Sequence, residues 1–402
     1  MMRPAIVSLG TVPTLGLCFV ACLIEGADIV SMGLVAPVIA RQFGFGPAEM
    51  GYVLTAAIVG LMVGAATGGM LGDRWGRRVV VIVAFAVLGL CSILTAHADS
   101  LTGFLLVRFL CGIGLGAALP NLIAIAAEAA RPGRRATAIG LMFAGQPAGG
   151  SLLGLFVASR AGVLDWTSVF YIGGVLPLLL LPVLILALPE PEAFRDARSK
   201  QTGPRAPTLV ALFGEGRAAM TLLMWASYGF TQVVVYLINN WLPTLMVAKG
   251  FSAQQAGAIS SFENAGAVAG CIVLAMATDR GRVRPVLMVT YVGIVAGLFG
   301  LAMAQSFWPV VAIGIAVGFF VIGGQLILYT LAPSYYPILV RATGTGAAVS
   351  VGRLGGIFGP LAAGKLMAIG LAPAGVLIAA VPCALLAGLA AVSLTLRPLP
   401  AE

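Results

Sequence analysis

Histidine is almost missing from this chain: His97 is the only one among 402 residues. A metal centre built on imidazoles and a Ser-His-Asp relay are therefore not expected, and no cofactor or metal site is read from the sequence. Charge is scarce too. Asp, Glu, Lys and Arg make up 9% of the chain, against roughly 25% in a soluble domain. That leaves room only for short polar loops. The six cysteines, Cys18, Cys22, Cys91, Cys111, Cys271 and Cys383, all fall in apolar runs and form no CxxC pair. They read as small packing residues, not as ligands or disulfides. No basic block interleaved with aromatics is found, so the net charge of +9 does not point to nucleic acid. A nucleotide loop, a nucleophile–base pair and a signalling domain are also missing. The enzyme and receptor classes lose their support with them.

What the chain does have is apolar length. Hydrophobic residues are 60% of it, and apolar runs recur twelve times, from 15–37 to 373–396. At ~1.5 Å per residue, each is long enough to cross a ~30 Å hydrocarbon layer. The expectation is an all-α polytopic membrane protein with twelve transmembrane helices. A segment rich in charge and proline, 189–216, divides them into two sets of six, 1–188 and 217–402. Placing both termini in the cytoplasm puts seventeen of the 23 Lys and Arg residues on that side and four outside, with Arg108 and Arg353 inside spans. The two halves also repeat. Asp73-Arg74 recurs as Asp279-Arg280, Arg135-Ala136-Thr137 as Arg341-Ala342-Thr343, and Gly149-Gly150 as Gly355-Gly356, each 206 residues on. A parallel duplication of this kind predicts a transport site near the midplane, where the halves meet.

The first span, Leu15 to Pro37, carries Glu25 and Asp28 near its middle. Three residues apart, they share one helix face. A carboxylate at membrane depth costs several kcal/mol unless it is protonated, paired or wetted. Either both acids pair with basic residues on neighbouring helices, or they form a proton or substrate site. Arg108 is expected at a depth similar to Asp28. Two acids so close favour sharing a proton.

Gly68-Gly69-Met70-Leu71-Gly72-Asp73-Arg74-Trp75-Gly76-Arg77-Arg78 resembles the signature loop of the major facilitator superfamily. In that family the loop is a conformational latch, which the resemblance assigns here to Gly69, Asp73, Arg74, Arg77 and Arg78, and in the second half to Asp279 and Arg280. Glycines there let helices approach closely, and the acid can meet the next helix's N-terminal dipole or a basic partner. Glu25-Gly26-Ala27-Asp28, the Arg108–Asn121 stretch, Glu128 with Arg134–Thr137, and Gly352–Gly355 resemble the aromatic acid:proton symporters within it. Ile238–Pro243 and Ala362–Lys365 resemble the bacterial 3-(3-hydroxyphenyl)propionate transporters in particular. The resemblance spans all twelve runs. It implies two six-helix bundles around a central cavity, a bacterial-type inner-membrane location, a likeness to monomeric transporters, and uptake of a small aromatic carboxylate with a proton. The alternative on the same fold is an efflux antiporter for drugs or metabolites.

Asp28, assisted by Glu25 and with Arg108 beside it, is expected to handle the proton. Arg353 is expected either to bind the substrate anion or to pair with an acid such as Glu263. Glu263 itself stands between a pairing and a proton role. Gln146, Tyr236, Asn239, Asn240, Gln325 and Tyr329 are candidate cavity groups. Glu128, beside basic residues, reads as a member of a gate ion pair.

Overall fold

A computed structural model describes residues 10–159, 165–190, 208–214 and 216–397. Most of the expected linker, with Arg195, Arg198, Lys200 and Arg205, lies outside these residues, as do Arg3 and Arg160. Among the described residues the chain is all-α. Its helices are α1 (Thr11–Phe43), α2 (Pro47–Trp75), α3 (Arg77–Ala96), α4 (Leu101–Ala129), α5 (Arg135–Phe143), α6 (Gly145–Ser159) and α7 (Trp166–Ala187). They continue with α8 (Thr208–Phe213), α9 (Ala218–Ala248), α10 (Ala253–Asp279), α11 (Val283–Met303), α12 (Phe307–Leu331), α13 (Arg341–Ala368), α14 (Pro373–Ala379) and α15 (Val381–Leu394). Two short 3-10 turns, Ala332–Ser334 and Ile338–Val340, join α12 to α13. Twelve stretches among the described residues are long and apolar enough to span a membrane.

Two of those spans are each broken into two helices. The break between α5 and α6 falls at Ala144. Pro147 explains it, since proline has no N–H to donate and its ring crowds the carbonyl four residues back, that of Phe143. Pro382 acts in the same way on Ile378, and the break between α14 and α15 falls at Ala380. The first helix runs well past its apolar core in both directions. It ends only where Gly44 takes a left-handed conformation, φ 69°, and closes the last turn.

The chain divides into two compact units, Met1–Thr208 with Tyr336–Ser350, and Leu209–Tyr335 with Val351–Ala401. In the first, α4 is central, packing on α2, α3 and α5, while α1 packs on α6 and α7. A stripe of small residues on α2, Gly60, Gly64 and Gly68, meets the backbone of α4 at Phe109, Ile113 and Ala117. Such contact distances exclude any side chain and substitute dispersion for the hydrophobic drive that lipid does not supply. Phe43, Phe104, Trp166 and Phe170 close one end of this unit, and Trp166 Nε1 donates to Gln42 Oε1 at 2.7 Å. In the second unit α10 packs on α12, and α9 on α15, α10 and α12. Lys249, just beyond α9, donates to the carbonyls of Ala302 (3.1 Å) and Ala304 (2.7 Å) at the end of α11. The ammonium satisfies carbonyls that the helix leaves open. Burial holds its pKa below the ordinary lysine range.

Candidate functional site

The acids of α1 lie where α1 meets α4 and α6. Glu25, Asp28 and Arg108 are each about 2% exposed or less. Arg108 Nη1 lies 3.5 Å from Asp28 Oδ2, so α1 and α4 bring the acid and the base to one depth. A third group joins them. Cys111 Sγ is 3.5 Å from the same Oδ2 and 3.8 Å from Arg108 Nη1. From the sequence every cysteine is expected to be a packing residue. This one touches both charges, and its signal was its place one turn after Arg108. The Arg108 guanidinium also stands 5.9 Å from the centre of the Phe170 ring, a cation–π contact from α7. Asp28 Oδ1 has no hydrogen-bond partner among the described residues. The cluster therefore pairs one carboxylate oxygen of Asp28 and leaves the other without a partner among the described residues.

Gly26 explains the small residues between the acids. A Cβ there would fall on the backbone carbonyl of Gln146 at the start of α6. Gln146 thus sits against α1 beside Glu25 because Pro147 breaks the helix there and Gly26 lets it approach. Gly26→Ala should lower stability by about 1–3 kcal/mol through overpacking, read as a lower melting temperature in detergent.

The signature loop forms a second cluster in the same unit. Asp73, 4% exposed, accepts from the backbone N–H of Thr343 (2.7 Å) and Ala342 (3.3 Å). A carboxylate thus caps the first turn of α13, where unpaired amides and the helix dipole favour negative charge. The sequence reading offered the next helix or a basic partner. The structure supplies the start of α13 and, at 3.7 Å, Arg77. Glu128 of α4 pairs with Arg77 and, at 3.2 Å, with Arg341. Gly69 faces the backbone carbonyl of Ala342. These bonds are why Tyr336–Ser350 groups with the first unit. Arg78 donates to the carbonyl of Ile185, whereas Arg74 is exposed and stands apart from the cluster.

Glu190 belongs to this cluster too. Its carboxylate accepts from the N–H groups of Arg77 (2.9 Å) and Arg78 (3.0 Å), capping α3. Burial raises its pKa, and the two amides and two arginines pull the other way. Flanked by Pro189 and Pro191, Glu190 is expected from the sequence to belong to the linker. In the second half, Asp279 is half-buried and Arg280 exposed. At the 206-residue offset the counterparts of Arg77 and of its partner Glu128 are Val283 and Ser334. The repeat preserves the Asp-Arg pair of the loop without the Arg77–Glu128 ion pair beside Asp73.

The second unit holds the other arginine. Arg353, 4% exposed, donates to the Tyr236 hydroxyl from α13 to α9. The pairing of Arg353 with Glu263 considered from the sequence is not made. Glu263 is 2% exposed and joins no ion pair among the described residues. The reason is packing: Glu263 lies on α10 with its backbone against Gly318 of α12, whereas α13 packs on α9. Gln325 and Tyr329 are both buried and bond each other, amide to hydroxyl, at 2.8 Å. Tyr329 also packs on Tyr228, with ring centres 5.5 Å apart. Asn239 and Asn240 are exposed.

The chain as a whole is similar to known proteins. The Major Facilitator Superfamily profile covers residues 17–360 and 224–402. The chain belongs to the major facilitator superfamily. The 3-(3-hydroxy-phenyl)propionate transporter of Escherichia coli (strain K12) is 44% identical over 94% of this chain and 92% of its own. The gallate transporter of Pseudomonas putida is 34% identical over 88% and 85%. The 4-hydroxybenzoate transporter PcaK of Pseudomonas aeruginosa is 32% identical over 88% and 86%. Among solved structures, the proton:xylose symporter XylE bound to 6-bromo-6-deoxy-D-glucose is similar, with a TM-score of 0.81 at 17% identity over 94% of both chains. That likeness is one of fold. In this member of the superfamily the two acids of α1 and Arg108 have no counterparts in the repeat, where Thr231, Val234 and Gly314 stand. The duplicated halves have thus diverged in their buried charges.

Proposed function

We propose that the protein takes up a small aromatic carboxylate, resembling hydroxyphenylpropionate or hydroxybenzoate, together with a proton. The observation that carries this reading is the 44% identity, along nearly the whole chain, to a transporter named for such an acid. Relatives named for gallate and 4-hydroxybenzoate support the same substrate class. The buried Asp28–Arg108 pair supplies a titratable group, and Arg353 a planar cation suited to a carboxylate. In this reading two six-helix halves, 1–188 and 217–402, alternate access to a central site in a bacterial inner membrane. Both termini are cytoplasmic, and the protein acts as a monomer.

Proteoliposomes test it. Labelled 3-(3-hydroxyphenyl)propionate should accumulate inside only with an inward proton gradient. Extrusion of the acid against such a gradient would replace import by antiport, and no movement of aromatic acids would end the reading.

The signature loop acts in this scheme as a latch. Asp73→Asn removes the charge at the start of α13 and leaves only one side-chain oxygen for its two amides. Such a loss biases two nearly balanced states. The exchange rate should fall about tenfold or more while equilibrium binding stays within about twofold. Weak binding with normal exchange would remove the latch role.

A further inference from the structure

Gln232 is the one buried amide of the second unit whose polar atoms both lack a protein partner among the described residues. It is 1% exposed, and neither Nε2 nor Oε1 has a hydrogen bond. Leaving a buried donor or acceptor unmet costs about 1–3 kcal/mol. A side chain needed only for volume would be Leu or Met. Gln325 in the same unit shows the structural solution, its amide resting on the Tyr329 hydroxyl.

The surroundings of Gln232 indicate what it awaits. Tyr228, Gln232 and Tyr236 are four residues apart on α9 and share a face. That face meets α13: a Cβ at Gly352 would lie 3.3 Å from Gln232 Cγ and 3.4 Å from the Tyr228 ring. The next residue of α13 is Arg353, which reaches Tyr236. Gln232 and Tyr236 are thus one turn apart, ~6 Å along the axis. That separation is on the scale of a substituted benzene ring. An amide offers one acceptor and two donors. A carboxylate would leave Oε1 unmet, because it only accepts. A phenolic hydroxyl both donates and accepts, so it can answer either atom of the amide.

We propose that Gln232 binds the ring hydroxyl of the aromatic acid and so selects hydroxylated over unsubstituted substrates. This assignment rests on the reading of the protein as an aromatic-acid transporter. Arg353 then takes the carboxylate, and the polar ends of one molecule fall on neighbouring positions of α9 and α13.

The test is equilibrium binding to the purified full-length protein of two probes, 3-(3-hydroxyphenyl)propionate and 3-phenylpropionate, which differ by the hydroxyl alone. Wild type should prefer the hydroxylated acid by about 10- to 100-fold. Gln232→Leu and Gln232→Met should lose that preference through weaker binding of the hydroxylated acid, with 3-phenylpropionate bound as well as before. Without ligand, both variants should melt no lower than wild type, because an unmet amide has been removed. An undiminished preference in the variants would overturn the assignment. So would equal binding of the two acids by wild type. Loss of both probes together with a lower melting temperature would make Gln232 structural and also overturn it. Wild type that binds neither acid would remove the transport reading itself, and this assignment with it.

Discussion

Asp28→Asn should abolish gradient-driven accumulation of the acid while leaving exchange of labelled for unlabelled substrate measurable. Asparagine copies the shape of the protonated acid but cannot release a proton. The Arg108 guanidinium lies 3.5 Å from Asp28 Oδ2. In the proposed coupling the proton is carried on Oδ1, the oxygen that has no hydrogen-bond partner among the described residues. In proteoliposomes with an inward proton gradient, the variant should reach only the inside concentration that simple equilibration allows. Glu25→Gln should show a milder form of the same defect, since Glu25 lies one turn away on the same face. Normal accumulation by both single variants and by the double variant would leave the acids as structural partners.

Arg353→Gln should weaken binding of the acid about 10- to 100-fold, and Arg353→Lys by a smaller but clear factor. A charge-assisted pair with a carboxylate is worth about 1.5–3 kcal/mol, more where water is excluded. Lysine keeps the charge and loses the two-pronged donor geometry. The Tyr236 hydroxyl holds the guanidinium in place, so Tyr236→Phe should weaken binding less than either change at Arg353. Titration calorimetry on the purified variants decides the matter. Wild-type affinity in both Arg353 variants would assign the arginine to structure.

The spans were legible because apolar length is a property of composition, which survives without any knowledge of partners. The helix break at Ala144 was also open to reading, since Pro147 marks it, but its use was not. Only the structure shows that the break brings Gln146 against Gly26. Depth along two spans was enough to anticipate that Asp28 and Arg108 meet. Cys111, Glu190 and Gln232 were missed for a common reason. Each belongs to a residue type or segment with an ordinary explanation, and each gains meaning from a neighbour far away in sequence. Glu190 caps a helix that begins 113 residues earlier. The Arg353–Glu263 pairing failed in the opposite way. Charge complementarity suggested it, and the order of helix packing, with α10 on α12 and α13 on α9, prevented it.

The central claim is that proton and aromatic acid move together through Asp28. The direct measurement is the internal pH of proteoliposomes, read by a trapped dye, when 3-(3-hydroxyphenyl)propionate is added outside with no gradient imposed. Wild type should acidify the interior as labelled acid enters. Asp28→Asn vesicles preloaded with unlabelled acid should exchange it for labelled acid without changing the internal pH. Entry of the acid into wild-type vesicles with no acidification, or equal acidification in Asp28→Asn, would contradict the account.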